Sequence, residues 1–176
     1  MKSDGHYLSA HSDQHLLYCD WKNRDSLLVS NQEFLTDLKQ NYIEMKKFGI
    51  TKTQTSYFIP PFEWYNTEIS NWCREFGLTL VNYTPGTKSH ADWTIPDNRD
   101  SYVASDSILQ SIINYENRQQ YGLNGFILIS HIGTDPQRED KFYFQLDRLL
   151  AGLFKKGYRF KRIDELLQPK LNDSAL

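Results

Sequence analysis

Segments with helical spacing alternate with short apolar segments along most of the chain. The first helical segment opens on a capping-box pattern, Ser30 followed by Glu33, and ends at Gly49. Three more helical segments follow, at 66–77, 105–122 and 140–157. The strand-like segments lie at 6–10, 55–59, 78–83 and 125–130, and 158–167 adds a last strand and a helical turn. Strands that alternate with helices predict parallel pairing, and therefore an α/β sheet or barrel.

The length and charge of the chain exclude several classes of protein. Its 176 residues fit one domain with a core of its own, and 20 lysines and arginines nearly balance 22 acidic residues. Since no basic block is present, we expect no nucleic-acid partner. The longest apolar stretch, at 126–129, is too short to span a bilayer, and the N-terminus has no apolar signal-peptide core. Cys19 and Cys73 form no disulfide framework and no metal-ligand spacing, so we expect free thiols.

Polar and aromatic residues directly follow four of the predicted strands. His11 follows the segment 6–10, and His131 follows the segment 125–130. The two middle strands are followed by the sequences PPFEWYN and SHADW. In parallel α/β folds the carboxyl ends of the strands carry the chemistry. We therefore expect a functional site built from these four strand ends.

His11 and His15 are candidate metal ligands. Residues four apart on a helix or helical turn have Cβ atoms roughly 5–6 Å apart. Two imidazoles so placed can bind one ion, because Zn–N bonds are about 2.0–2.1 Å long. The alternative is that both are ordinary surface or core histidines. Their position after a predicted strand, with His131 at another strand end, favours a metal site.

Four motifs resemble, in order, those of the polysaccharide deacetylases of the NodB-homology type. GHYLSAHSDQH at 5–15 resembles the family's second motif, H-S-x-x-H, and YFIPPFEWYN at 57–66 resembles the third, R-P-P-[YF]-G after a strand. HADWTIPD at 90–97 is similar to the fourth motif, an Asp-Trp pair in a loop. GFILISH at 125–131 is similar to the fifth, an apolar strand that ends in a histidine. The resemblance covers nearly the whole chain and implies a partial deformed (β/α) barrel with parallel strands and outer helices.

The resemblance also implies an activity, the metal-dependent removal of acetyl groups from a carbohydrate. It implies His11 and His15 as ligands of a divalent metal, usually zinc. It implies His131 as the general acid that protonates the departing amine or alcohol. Asp92 corresponds to the carboxylate that orients neighbouring site residues. The family works mainly outside the cytoplasm, which is the only indication of a localisation.

Further aromatic residues are expected at the substrate site. The resemblance implies that the backbone N–H of Phe62 helps to hold the developing oxyanion, and that Trp93 forms a wall of the pocket. Trp64 and Tyr65 follow directly and could form a platform on which a sugar ring stacks. Trp21, on a loop after the second motif, could lie at the edge of the substrate groove.

Two departures from the family pattern affect the expected site. The family's first motif, an Asp-Asp pair that supplies the base and a third metal ligand, has no counterpart, so about two β/α units are missing. We therefore expect 1–168 to be a catalytically incomplete C-terminal portion of the family domain, followed by a tail at 169–176. Ile59 stands where the family has an arginine, and an apolar side chain cannot hold a carboxylate by a bidentate hydrogen bond. Glu63 replaces a glycine, either as base or ligand or as a solvated loop carboxylate.

Three functions follow from these residues. The first is the deacetylase described above, and the second is a catalytically inactive carbohydrate-binding or scaffold module on a degenerate barrel. The third, a glycoside hydrolase, needs paired carboxylates such as Glu63 and Asp92, but nothing in the sequence sets their separation. An incomplete barrel leaves sheet edges and apolar faces uncovered. We therefore expect a homo-oligomer or a complementing N-terminal segment.

Overall fold

The computed structural model describes residues 1–167, so the predicted tail at 169–176 lies outside the described residues. The α-helices are α1 (Asn31–Lys46), α2 (Thr67–Glu75), α3 (Ser105–Arg118), α4 (Leu146–Lys155) and α5 (Ile163–Leu166). The strands are β1 (Tyr57–Phe58) and β2 (Thr79–Leu80). The chain divides into two compact units. The first contains Met1–Asn82 together with the segment from Lys161 onward, and the second is Tyr83–Phe160.

Helices α1 and α2 begin at the predicted caps. At the start of α1 the Ser30 hydroxyl accepts a hydrogen bond from the Glu33 N–H (3.3 Å), and the Glu33 carboxylate accepts one from the Ser30 N–H (2.7 Å). This reciprocal pair satisfies two backbone donors that the first helical turn leaves without partners. The Asn66 side chain caps α2 by accepting from the Ile69 N–H at 3.0 Å. Gly77, with φ +79°, ends α2 as predicted.

The first unit is built on a β1–α2–β2 crossover. β1 and β2 pair in parallel, with Tyr57 opposite Thr79 and Phe58 opposite Leu80. One face of α1 and one face of α2 pack with β1 into an apolar core. The buried members of this core are Ala10, Tyr18, Phe34, Leu38, Tyr42, Phe58, Ile69, Trp72, Cys73 and Leu78. The predicted α/β class with a parallel sheet is thereby confirmed.

The second unit is mainly helical. Helix α3 packs with α4 and with the short 3-10 helix Phe142–Gln145 that precedes α4. The buried apolar side chains of this core are Ile108, Leu109, Ile112, Phe142, Leu149 and Leu153. The predicted helix at 140–157 is thus divided into a 3-10 turn and a ten-residue α-helix.

The predicted strands are shorter than the sequence pattern indicates, or are not formed. The segments 55–59 and 78–83 contribute two residues each. Residues 126–130 form no strand: the Thr84 N–H donates to the Ile127 carbonyl at 2.9 Å, and the Phe126 N–H donates within a local turn to the Leu123 carbonyl at 3.0 Å. A strand needs a continuous ladder of hydrogen bonds to a neighbour, and apolar composition alone does not provide one. The strands predicted at 6–10 and at the start of 158–167 are likewise not formed, whereas the closing helical turn is α5.

The cysteines are free, as predicted, and both are buried. Burial raises the pKa of the Cys73 thiol to about 12 and also raises that of Cys19. Neither thiol is therefore a reactive nucleophile at neutral pH. Among residues 1–167, no helix is both long enough and apolar enough to cross a membrane.

Candidate functional site

His11 and His15 lie on a bent loop and not on the helical turn that their spacing suggests. Ser12 (φ +80°) and His15 (φ +52°) both have left-handed backbone conformations, which no helix would contain. The two rings nevertheless come together, with centroids 5.2 Å apart and planes inclined at 68°. The helical argument is therefore wrong, while the proximity of the two imidazoles that it predicted is observed.

A buried carboxylate on α1 holds this histidine loop. Asp37, which is only 5% exposed, accepts a hydrogen bond from the Ser12 hydroxyl at 2.6 Å. The same carboxylate accepts from the backbone N–H of Gln14 at 2.7 Å and from that of Asp13 at 3.3 Å. A buried carboxylate is tolerated where hydrogen bonds replace the water that it has lost. The three donors all come from the residues between the two histidines, so Asp37 fixes the bend itself.

Two further hydrogen bonds act on the histidines directly. The Ser12 hydroxyl accepts from the His15 N–H at 2.9 Å, which links His15 to Asp37 through one side chain. One helical turn beyond Asp37, the Asn41 amide oxygen accepts from the His11 N–H at 3.1 Å. The backbone of both histidines is therefore tied to α1.

Sequence reasoning missed Asp37 and Asn41, although a signal for both is present. They lie at 37 and 41, between apolar residues at 34, 38 and 42 that form the buried stripe of α1. Polar residues on the buried stripe of an amphipathic helix need a local partner. A partner on the histidine loop could have been expected for that reason.

The ring of His11 is oriented in a way that suits a metal ligand. Its Nδ1 lies 2.8 Å from the Ile59 carbonyl oxygen. Because a carbonyl can only accept, Nδ1 carries the proton and donates it, and the lone pair of the neutral ring is on Nε2. Metal-binding histidines are commonly oriented by a bond of this kind. Ile59 therefore orients His11 through its backbone, whatever its side chain.

The two imidazoles fit part of the coordination sphere of a divalent metal. Their nitrogen donors and close rings suit zinc, which structural and catalytic sites bind through three or four such ligands. Among the described residues, no group of three or more His, Cys, Asp and Glu side chains is arranged to hold an ion. Two histidines alone do not complete such a coordination sphere.

Two consecutive residues beside the histidines have strained backbones. Phe62 (φ +59°) and Glu63 (φ +52°) lie in the 3-10 turn Pro61–Glu63 after β1. The Phe62 ring packs edge-on against His15 with a centroid distance of 4.5 Å. The Asn82 amide donates to the Glu63 carbonyl at 2.8 Å and so braces the turn. The structure therefore places the predicted oxyanion residue and the predicted base or ligand next to the histidine loop.

Trp64 and Tyr65 are partly covered by an arginine. The guanidinium carbon of Arg24 lies 4.1 Å from the Trp64 ring centroid and 5.5 Å from that of Tyr65. The Arg24 Nε also donates to the Tyr65 carbonyl at 2.6 Å. The predicted sugar-stacking role of these rings stays a prediction, and one face of Trp64 is occupied by this cation–π contact.

In the second unit, Asp92 and His131 form a closely coupled pair. Asp92 is fully buried, and its Oδ1 accepts from His131 Nδ1 at 2.6 Å. Its Oδ2 accepts from the His131 backbone N–H, also at 2.6 Å. The carboxylate thus fixes both the ring and the backbone of His131, while the site role that the family resemblance implies for Asp92 stays a prediction. Trp93, the predicted pocket wall, is 54% exposed.

A buried arginine follows His131 and was not anticipated. Arg138 is completely buried, and its guanidinium donates to the carbonyl oxygens of Thr94 (2.6 Å), Val103 (2.9 Å) and Asp140 (3.2 Å). It also donates to the Ser105 hydroxyl at 3.0 Å. These bonds hold the loop after His131 against the segment that leads into α3. A charged residue in a polar loop is normally exposed, so no sequence signal identified Arg138.

The predicted site residues therefore fall into two groups, one in each unit. The first unit contains the group that follows the histidine loop and β1: His11, His15, Phe62, Glu63, Trp64 and Tyr65. The second unit contains Asp92, Trp93 and His131.

Comparison with solved structures shows which proteins share this fold. A peptidoglycan N-acetylglucosamine deacetylase matches 94% of this chain at 17% identity and a TM-score of 0.67. A family 4 carbohydrate esterase from Streptomyces lividans, solved with acetate, matches 89% at 17% identity and a TM-score of 0.59. A CE4 family pseudoenzyme from Bacillus anthracis matches 90% at 20% identity and a TM-score of 0.59.

The chain spans 65% of the length of the first two structures and 45% of the pseudoenzyme. No protein-family model matches the sequence, and no curated protein matches it. The fold implied by the family resemblance is confirmed by these structures, two of which are enzymes by name and one a pseudoenzyme. The described chain has the α/β fold of the CE4 polysaccharide deacetylases.

Proposed function

We propose that this chain carries the site of a metal-dependent hydrolase that removes acetyl groups from a carbohydrate. The observation that carries the proposal is the His11–His15 pair, with rings 5.2 Å apart and with His11 oriented through Nδ1 by a carbonyl. One structure of the same fold is a peptidoglycan N-acetylglucosamine deacetylase. An acetylated amino sugar is therefore the substrate class of the proposal.

His11 and His15 are the residues that would hold the divalent ion, with zinc as the expected metal. When bound, such an ion supplies Lewis-acid polarisation of the acetyl carbonyl and lowers the pKa of a bound water. The chain's own contribution is to bring the two imidazole rings together, while Asp37 and Asn41 hold the backbone of the loop that carries them. The Phe62 N–H is assigned the stabilisation of negative charge on the carbonyl oxygen.

His131 is assigned the proton transfer to the leaving amine or alcohol. Asp92 accepts from Nδ1, so the proton that is transferred is held on Nε2. This arrangement of carboxylate, imidazole and reacting group follows the same logic as other oriented histidines in hydrolases.

Glu63 is proposed to act beside the histidine loop, either as the catalytic base or as a ligand of the metal. Its left-handed backbone, at a position where glycine would be free of strain, supports a role for the side chain. Glu63→Gln keeps the size of the side chain and removes its charge. An unchanged rate and an unchanged zinc affinity in this variant would eliminate the idea.

The parallel β1–β2 pair is proposed to be part of a deformed (β/α) barrel. The two-histidine site then obtains its remaining ligands from Glu63, from another segment of a longer protein or from a partner chain. Because the chain spans 45–65% of the matched structures, any of these sources is compatible with the shared fold.

A catalytically inactive carbohydrate-binding or scaffold module is the second candidate function. Ile59 offers an apolar side chain where the family pattern has an arginine, and the described residues provide no set of three metal ligands. A pseudoenzyme is among the structures of the same fold. In this alternative, the aromatic side chains bind sugar without hydrolysis.

Zinc titration by calorimetry tests the first proposal. We expect the chain to bind one zinc ion, and the double variant His11→Ala/His15→Ala to lose that binding. His6→Ala, which removes an exposed histidine near the same loop, is the matched control and should bind as the unmodified chain does. Equal affinity in all three proteins would contradict the assigned ligands.

Release of acetate from an oligomer of N-acetylglucosamine separates the two candidate functions. The enzyme predicts zinc-dependent release that is lost in His131→Ala. The binding module predicts sugar binding without release, in the presence and in the absence of zinc.

A further inference from the structure

Trp21 is an exposed aromatic side chain in contact with the candidate site. It is 54% exposed, and its ring lies 5.7 Å from the Phe62 ring and 5.4 Å from the Trp64 ring. Phe62 in turn packs against His15 at 4.5 Å. The aromatic surface is therefore continuous from a proposed metal ligand to Trp21. Together with Phe62, which is 42% exposed, Trp21 forms a contiguous exposed apolar patch, the kind of surface that marks a binding site.

A braced hairpin holds Trp21 in this position. Residues 19–27, here called the Trp21 hairpin, are closed by an antiparallel bridge between Cys19 and Leu27. The Asp20 N–H donates to the Ser26 carbonyl at 2.9 Å, and the Asp20 carboxylate accepts from the backbone N–H of Asn23 at 2.7 Å. The hairpin is thus rigid at the residue that precedes Trp21, which lowers the entropy lost when a ligand binds.

The hairpin is also fastened to the segment after β1. The indole N–H of Trp64 donates to the Asp20 carbonyl at 3.2 Å, and the Asn66 amide donates to the Arg24 carbonyl at 3.0 Å. Arg24 lies over one face of Trp64. Trp64 therefore serves as a support, with its polar edge and one face already engaged. Trp21, the more exposed of the two indoles, is the one that offers ring surface to a ligand.

We propose that Trp21 forms a sugar-stacking subsite next to the metal-binding histidines, and that it takes a neutral pyranose ring of the substrate chain. This inference rests on the proposed function for the identity of the ligand, a linked acetylated sugar. The sugar unit on Trp21 neighbours the unit that loses its acetyl group.

The chemistry of the surface favours a neutral sugar ring. A pyranose presents C–H groups on one face and hydroxyls at its rim, and a flat indole matches that face by dispersion and by its quadrupole. The exposed hairpin carries charges of both signs, with Asp20 and Lys22 on either side of Trp21. No single sign of charge therefore selects an ionic ligand here. A subsite of this kind contributes to the binding of long substrates and leaves a single sugar unaffected.

The test compares binding of the β-linked N-acetylglucosamine tetramer with binding of the monomer. We expect Trp21→Ala to weaken the tetramer about three- to tenfold, the range given by aromatic stacking, and to leave the monomer unchanged. Trp21→Tyr, which keeps a flat ring, should restore most of the affinity, whereas Trp21→Leu should not. Phe48→Ala removes an exposed aromatic ring elsewhere in the first unit and is the matched control. Far-UV circular dichroism of each variant confirms folding.

The outcomes for the subsite and for the proposed function are distinguishable. An unchanged tetramer affinity in Trp21→Ala and Trp21→Leu overturns the subsite, whether or not the chain releases acetate. Weaker binding in both variants, with no acetate released by the unmodified chain, supports the subsite and favours the binding module over the deacetylase. Where acetate is released, the subsite predicts a raised KM for the tetramer with little change in kcat. Absence of tetramer binding by the unmodified chain overturns the subsite, and acetate release then decides the function alone.

Discussion

Asp37, which was not predicted, holds the loop that brings His11 and His15 together. It touches neither a substrate nor a metal in the proposal. Its buried carboxylate accepts three hydrogen bonds from the residues between His11 and His15. The carboxylate therefore sets the backbone that brings the two rings together. A residue of this kind positions the proposed ligands, and its removal should affect both stability and zinc binding.

Asp37→Ala should lower the free energy of unfolding by about 1–3 kcal/mol, because three donors lose a charged acceptor. It should also weaken zinc binding, since the loop is no longer held. Urea unfolding and zinc calorimetry measure the two effects. Lys39→Ala, at an exposed position of the same helix, is the control and should change neither. A variant as stable as the unmodified chain would show that the loop keeps its shape without Asp37.

Glu63→Gly should stabilise the chain by about 1 kcal/mol, because glycine adopts the left-handed conformation at φ +52° without steric cost. Glu63→Ala should give no such gain, since alanine keeps the strain. Urea unfolding midpoints compare the two variants. If the Glu63 carboxylate acts in catalysis, both lose acetate release equally. Equal midpoints for Gly and Ala would contradict the strain at this position.

The candidate site residues could be predicted from the sequence motifs, whereas the contacts between distant residues could not. The H-S-x-x-H motif identified His11 and His15, but the reason given for their proximity was a helix that is not formed. The Asp92–His131 contact was implied only by family resemblance. Arg138 was not predicted, because the sequence does not show which loop arginine becomes buried. Burial depends on tertiary packing, which a local pattern does not encode.

At the scale of elements, helices were predicted better than strands. Helix α1 begins at Ser30 and α2 ends before Gly77, because caps and stops are local features of the chain. The segment 125–130 has strand composition but obtains little backbone pairing among the described residues. A strand forms only when a neighbouring segment pairs with its backbone hydrogen-bonding groups. The sequence of one segment does not show whether such a neighbour is present.

The start of α3 is held by Asp140 and gives a prediction about pH. The Asp140 carboxylate accepts from the Ser105 N–H at 2.7 Å and from the Tyr102 hydroxyl at 2.8 Å. Burial alone would raise the pKa of this carboxyl, but these hydrogen bonds and the charge of Arg138 hold the pKa below its usual value. The ionised form therefore stabilises the folded chain.

Because the pKa of Asp140 is lowered in the folded chain, acid should destabilise the fold. The contribution of Asp140 is complete above the unfolded pKa of about 3.9 and is lost as the pH falls through the lower folded value. Urea midpoints between pH 6 and pH 3 should fall less steeply in Asp140→Asn than in the unmodified chain. Asp100→Asn, at an exposed acidic residue of the same unit, is the control and should keep the original slope. If the urea midpoints of Asp140→Asn fall with pH as steeply as those of Asp100→Asn, Asp140 does not contribute to the loss of stability in acid.

At the scale of the whole molecule, exposed apolar side chains predict self-association. The second unit exposes Phe144 and Phe154 by 72% and 70%, and the first unit exposes Phe48 by 74%. Large apolar groups in water favour contact with another surface. Size-exclusion chromatography with light scattering should show a mass above that of the 20.8 kDa chain. The double variant Phe144→Ser/Phe154→Ser should shift the mass downward, and a monomer in both proteins would contradict the prediction.

The guanidinium of Arg138 has a consequence for engineering the protein. It joins three carbonyl oxygens from separate stretches of the second unit and is itself shielded from water. An exchange of the loop after His131 with one from another protein of the same fold would have to carry an arginine that makes the same bonds. Lysine could not replace it, because a single ammonium cannot reach three divergent acceptors. Libraries aimed at new specificity should therefore keep Arg138 and vary the exposed residues around it.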